Sequence, residues 1–509
     1  MQSVLSVKVA KQCLCSLAIF ALTACTVLGP DFEEPEVEWL PEWESELFQQ
    51  VAGDEEPSQV DLTFWWRLFD DPVLNRLIEL ARKENPSLQI AGLRVLESRA
   101  ALGIANSTRY PQLQQATGAI SYVNTQQSDG SDQSMGSYQA DLNVGWELDF
   151  WGRYQRSIES ADALFFSSLF NQHNAQVLLS AQVAELYYAY RTTLLRIDIA
   201  NKNARIQKRS FEITERLYKG GQNSELDLQQ ARTQYMSTLS SIPGLEIALA
   251  QLRNALSILL ARAPGNLPEL DDKVHPLPVV KSIALDEIPA QLLMRRPDIR
   301  AAASQVAAQS AQIGVAEADL YPSVSLFGTL GWSGSSVSDS PDTLSLGVGP
   351  AVSWNLFDHG RIKNNIRIQD ARLEQAIANF QNTVLLAARE IDDAAITVIK
   401  TREQKYPQGE SRMAADRSLE LANTRYREGY EGFQRVIDAQ RAAAAQAERE
   451  LINDSNHVSA IISFYRALGG GWIDTPVEQL VPEKTREAMQ SRSDWGDLLE
   501  SPLPPEPTP

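Results

Sequence analysis

The chain has 509 residues, 65 Asp and Glu against 46 Lys and Arg, a net charge of −19, and three cysteines, none beyond position 25. Such acidity argues against nucleic acid or an anionic lipid surface as a partner. A chain with no later cysteine cannot hold an exported fold together with internal disulfides, so packing alone must do it.

Residues 1–24 carry Lys8 and Lys11 and then "CLCSLAIFALTA", an apolar run of about a dozen residues that is too short to span a bilayer and has the layout of a signal peptide. Leu22-Thr23-Ala24-Cys25 resembles the bacterial lipobox, which implies that Cys25 becomes the acylated first residue. Thr26 stands where an Asp would favour retention at the inner membrane, so the outer membrane is the implied destination. Removing residues 1–24 leaves 485 residues and takes two lysines, moving the charge to −21. Residues 25–84 then form an anchored N-terminal segment.

From residue 85 the chain repeats itself. "NPSLQIAGLRVLESRAALGIANSTRYPQL" (85–113) aligns with "RPDIRAAASQVAAQSAQIGVAEADLYPSV" (296–324), Tyr110-Pro111 falling on Tyr321-Pro322 at an offset of 211. "WELDFWGR" (146–153) falls on "WNLFDHGR" (354–361) at 208. Repeat 1 spans 85–262, repeat 2 spans 296–468, a Pro-rich connector occupies 263–295, and 469–509 is a C-terminal segment.

Each repeat switches its hydrophobic period twice. A helix leads into a β-hairpin, expected over 111–150 and over 322–357. Residues 138–150 alternate strictly, with Tyr138, Ala140, Leu142, Val144, Trp146, Leu148 and Phe150 opposite Gln139, Asp141, Asn143, Glu147 and Asp149. Leu344, Leu346, Val348, Val352, Trp354 and Leu356 repeat the pattern; 112–123 is the weakest of the four strands. Strands of about ten residues with one apolar and one polar face are what a transmembrane β-barrel requires. A soluble β-sandwich would alternate in the same way, but only four such strands exist and they lie within helical sequence. Four strands cannot close a barrel, so the barrel has to be shared between subunits.

Long helices follow, expected over 153–218 and 225–261, then over 361–427 and 433–468. Arg153 to Leu217 contains neither proline nor glycine, and 65 helical residues reach about 97 Å. Pro243-Gly244 is expected to interrupt the first return limb, and Pro407 with Gly409 to break or kink the second long limb.

These stretches, with "WWRLFDDPVLNRLIELARKENPSL" (65–88), "IPAQLLMRRPDIRAA" (288–302), "TRYREGYEGFQRVIDAQRAA" (424–443) and "YRALGGGW" (465–472), resemble the outer membrane factors. Those are the TolC- and OprM-like channels, and the likeness is to their NodT-type lipoprotein branch. The resemblance implies a homotrimeric α+β membrane protein: four strands per chain in a shared 12-strand barrel, continued by a periplasmic α-helical barrel. It implies an outer membrane channel of a tripartite efflux or export system. Its partners would be a periplasmic adaptor protein, an inner-membrane pump of the RND type and outer-membrane lipid, with no cofactor besides the covalent lipid on Cys25. A duct of type I protein secretion and a passive porin stand as alternatives.

Nothing in the sequence has the pattern of a catalytic or metal centre; His173, His275, His359 and His457 have no HExxH or Cys/His spacing around them. The chemistry instead gathers at two helix–turn–helix tips, "KGGQNSELD" (219–227) and "REGYEGFQRVIDAQR" (427–441). By resemblance, Gly220, Gly221, Gln222, Asn223, Gly429, Tyr430, Glu431 and Gly432 are adaptor-docking positions. By the same resemblance, Asp438 and Arg441, with Gln434 one turn earlier, would be the periplasmic gate, Asp438 being satisfied by Arg441 or by a donor on a neighbouring helix.

Overall fold

The computed structural model describes residues 26–40, 61–126, 132–270, 273–280, 293–335 and 343–505, with the single positions 43, 47, 51 and 130. The signal peptide, Cys25 and parts of both hairpin loops lie outside the described residues.

Repeat 1 begins with helices α1 (Pro72–Glu84) and α2 (Pro86–Ser107). Each has proline at its first position, where no N–H is needed, behind an Asp71 or Asn85 side chain that accepts from the next two free N–H groups. Strands β1 (Leu113–Gln126) and β2 (Asp132–Leu148) follow, then α3 (Arg153–Lys219) and α4 (Glu225–Leu259). Repeat 2 gives α5 (Pro297–Ala318), β3 (Ser323–Gly334), β4 (Thr343–Ser353), α6 (Arg361–Arg427) and α7 (Phe433–Ala467), and α8 (Glu483–Arg492) closes the order. Both long helices have 67 residues and both return helices 35. The long ones reach about 100 Å at 1.5 Å per residue.

Neither proline ends its helix. Helix α4 runs through Pro243, with the Ser240 and Ser241 hydroxyls donating to the Ser237 and Thr238 carbonyls, each at 2.8 Å, in the turn that the proline weakens. Helix α6 runs through Pro407, flanked by α7, whose Asn453 amide donates to the Thr401 carbonyl at 3.1 Å. Packing along α7 holds the helix where the local sequence alone would break it.

The four strands form one antiparallel sheet in the order β1-β2-β3-β4, so both outer edges, on β1 and β4, have no partner strand among the described residues. The register brings apolar side chains into rows, such as Leu142 beside Leu330 beside Leu346, and Val324 beside both Leu148 and Val352. On the other face Asp141, Gly331 and Ser345 share a row, as do Asn143, Thr329 and Gly347. The apolar face is bare: Leu346 and Val348 are 78% and 81% exposed. Among the described residues, the buried apolar clusters take no side chain from the sheet.

One detail of β1 departs from the sequence alignment. Pairing of the hairpins superposes β1 on β3 at 210 residues, Gln114 opposite Val144 matching Val324 opposite Val352, whereas Tyr110 and Tyr321 are 211 apart. The extra residue is Gln112. Its side-chain amide accepts from the Glu147 N–H at 2.7 Å and donates to the Glu147 carbonyl at 3.3 Å, as a main-chain partner would. A slip of one residue would turn every β1 side chain to the wrong face, and this side chain absorbs it.

The main core lies below the sheet, where the 3-10 turn Leu62–Phe69 and α1 pack on α3, α6 and α7. Trp65 stacks on Tyr465 with ring centroids 5.8 Å apart. Asp71 accepts from Tyr187 at 3.0 Å and Arg191 at 2.6 Å, tying α1 to α3. Arg296, buried, donates to the Ala467 carbonyl at the end of α7, to Asp298 and to Glu390 on α6. Higher up, residues 28–31 are clamped at the joint between sheet and helices. Leu28 N–H donates to Trp151 O, and Arg156 reaches the Leu28 and Gly29 carbonyls and Asp31. The chain passes so close that a Cβ on Gly29 would lie 2.4 Å from Gly314 Cα. Among the described residues no helix is long and apolar enough to cross a membrane.

Candidate functional site

The two helix tips are built alike. In the first, the Gly221 N–H donates to Tyr218 O and the Gln222 N–H to Leu217 O, with Gly221 at φ +67°. In the second, the Gly429 N–H donates to Tyr426 O and the Tyr430 N–H to Arg425 O, with Gly429 at φ +76°. Both are Schellman caps, which satisfy the last carbonyls of a helix and need a left-handed residue that glycine supplies without strain. Nothing lies within 4 Å of a Cβ built on either glycine, so both caps face open space. Gly220 is the last residue before the left-handed turn. Ser224 and Gly432 start the return helices; Ser224 accepts from the Asp227 N–H, whereas Gly432 has no side chain to cap with.

The tips are held side by side. The Asn223 amide donates to the Tyr426 hydroxyl at 2.7 Å, and Tyr426 packs on Phe433 with centroids 5.3 Å apart. Arg425 pairs with Glu431 at 3.1 Å, while Tyr430 stands 76% exposed. Phe433, Val436 and Ile437 form a small core with Ala231.

Gln434, Asp438 and Arg441 stand at i, i+4 and i+7 on the exposed side of α7. The structure does not bring Asp438 and Arg441 together within the chain. Asp438 accepts from Gln434 at 3.0 Å on its own helix, and Arg441 Nε donates to Gln234 Oε1 on α4 at 2.7 Å. Arg441 lies on the flank that α4 covers, so the neutral Gln234 is the partner its guanidinium meets. Buried Gln440 adds a third link between repeats, donating to Ser210 on α3 at 2.8 Å.

Sequence reasoning did not pick out Gln234, Tyr426, Gln440 or Ser210. Tyr426 lies inside the quoted "TRYREGY" stretch, but Gln234 is one polar residue on an amphipathic helix and takes its role from a partner 207 positions away.

The sequence profile described as outer membrane efflux protein matches residues 77–262 and 288–470. The cation efflux system protein CusC of Escherichia coli O6:H1 is 30% identical over 468 residues, covering 89% of this chain and 97% of that protein. The probable outer membrane lipoprotein SilC of Salmonella typhimurium is 29% identical, covering 90% and 98%. The toluene efflux pump outer membrane protein TtgI of Pseudomonas putida is 29% identical, covering 90% and 98%. Among solved structures, the outer-membrane channel OprN aligns with a TM-score of 0.79 at 31% identity, over 87% of this chain and 99% of that one. CusC aligns at 0.76 and 26%, over 87% and 100%. A four-stranded sheet with a bare apolar face, two 67-residue helices, and relatives matched over nearly their whole length, CusC and TtgI among them named for efflux, agree: the chain belongs to the outer membrane efflux protein family, with the TolC-like fold, and is the outer-membrane channel of an efflux system.

Proposed function

We propose that three copies of the chain form one duct, anchored in the outer membrane by a shared 12-strand barrel and by acyl groups on Cys25, and opening in the periplasm at the six helix tips. The observation that carries this reading is the bare apolar face of a sheet whose two outer edges lack partners among the described residues. An isolated sheet of this kind in water would be an aggregation site, and barrel closure in lipid answers both features at once. The clamp at residues 28–31 supports the lipid anchor, since it holds the chain three residues after Cys25 at the level where sheet gives way to helix.

At the tips, Gly220, Gly221, Gln222 and Asn223 with Gly429, Tyr430, Glu431 and Gly432 dock a periplasmic adaptor, which couples the duct to an inner-membrane pump of the RND type. Gln434, Asp438 and Arg441 form the gate, kept closed by the links that tie α7 and α6 to the first repeat. CusC and TtgI, at nearly equal identity to this chain, are named for cation and toluene efflux. Cargo that unlike supports the view that selection lies in the pump and not in the duct. Native mass spectrometry in detergent and conductance in planar bilayers test the reading together. Three chains and a small closed-state conductance are expected; a stable monomer, or a wide constitutive pore, would overturn it.

A further inference from the structure

The internal repeat also fixes how one copy meets the next. Within the chain, β2 of the first hairpin pairs with β3 of the second: Val144 faces Gly328, Leu142 faces Leu330, Asp141 faces Gly331 and Ala140 faces Trp332. The hairpins superpose with β1 on β3 at 210 residues and β2 on β4 at 208, the latter shift being that of Trp146 and Trp354. A ring of equivalent hairpins repeats the β2–β3 joint at every junction.

We propose that β4 of one copy pairs antiparallel with β1 of the next in the register that places Val352 against Gly118, Pro350 against Ile120, Gly349 against Ser121 and Val348 against Tyr122. This inference rests on the three-chain reading above and adds to it the identity of the contacts. Two independent features agree with the register. Every outward residue meets an outward one, so the apolar belt continues across the seam; the 211-residue offset of Tyr110 and Tyr321 would instead set Val348 against Ser121. Volumes also match. Inside the chain, bulky side chains lie over glycines: Leu113 over Gly145, Phe327 over Gly349, Tyr138 over Gly334. The seam repeats this, with Val352 beside Gly118 and Val123 beside Gly347. Ile120, Tyr122, Val348 and Val352, all strongly exposed in the single chain, are the apolar side chains the seam would cover.

Cysteine pairs in the full chain read the register directly. Facing residues of antiparallel strands have Cα atoms about 4.5 to 5.5 Å apart, within disulfide range, and a shift of two residues moves them about 7 Å along the strand. Gly118→Cys with Val352→Cys, and separately Ser121→Cys with Gly349→Cys, should shift from one chain to three on a non-reducing gel after copper-phenanthroline oxidation, and return on reduction. Gly118→Cys with Pro350→Cys, and each single substitution, should stay at one chain. Native mass spectrometry of the same samples separates register from stoichiometry. Three chains with cross-linking only in the offset pair, or in no pair, overturn the register and leave the trimer standing. A single chain overturns both.

Discussion

Arg441 on α7 donates to Gln234 on α4 at 2.7 Å, joining the second repeat to the first close to the tips. A charged donor on a neutral acceptor, exposed to water, contributes at most about 1 kcal/mol, but three copies acting on one opening motion can move the open population by one or two decades. Gln234→Ala and Arg441→Ala should each raise single-channel conductance and sensitise cells to vancomycin, and the double mutant should add little to either. Additive effects in that cycle would mean the two residues act separately.

The tip glycines predict a loss of docking without a loss of fold. Gly221→Trp and Gly429→Trp put a bulky side chain on exposed left-handed positions with nothing within 4 Å. Each should cost about 1 kcal/mol of local helix-end stability and abolish export, with trimer level in the outer membrane unchanged. Normal export by both variants would remove the tips from the docking surface.

For Cys25, metabolic labelling with palmitate should mark the wild type and leave Cys25→Ser unlabelled. Equal label in both would refute acylation there.

Arg296 is a stability residue. It is buried and serves the α7 terminus, Asp298 and Glu390 at once, so Arg296→Ala leaves Asp298 and the Ala467 carbonyl without their partner. A loss of about 3 to 5 kcal/mol is expected, read as a lower midpoint in denaturant. An unfolding free energy within about 0.5 kcal/mol of wild type, on the order of a surface substitution, would place the hub's weight elsewhere.

Acid sensitivity of the fold is expected at His457. Burial against α6, then the nearby Lys405 and Arg402, hold its pKa below the ordinary imidazole value, while Asp454 opposes them. The unfolded chain therefore takes up a proton first as pH falls through about 6.5, and stability drops from there downward until the folded state protonates too. His457→Gln should flatten the dependence of melting temperature on pH between 7 and 5, on the order of the His titration range. An unchanged slope would assign the acid sensitivity to other groups.

Much of this molecule could be read from its sequence because its signals are local. Strict alternation over 138–148 and the absence of proline and glycine from Arg153 to Leu217 each name an element without reference to anything distant. Pro243 and Pro407 show the limit of such signals: a local rule predicts a break, and both helices continue through the proline. The tips were legible through their glycines, but the links Gln234–Arg441 and Asn223–Tyr426 join positions more than 200 apart. No periodicity encodes such a pair. The clamp of Arg156 on residues 28–31 escaped likewise, since an arginine near the start of a helix has no sequence mark that says which carbonyls it will reach.

Gln112 gives the tandem repeat a history. When a gene segment is duplicated, its copies drift by insertion and deletion, and a single added codon within a strand is among the least tolerable events, because it reverses what faces lipid and what faces water. Here the added residue brings its own amide, and that amide takes the place of the main chain opposite Glu147. One ancestral hairpin could therefore diverge into two of unequal length while both keep their apolar side chains on the same face of one sheet.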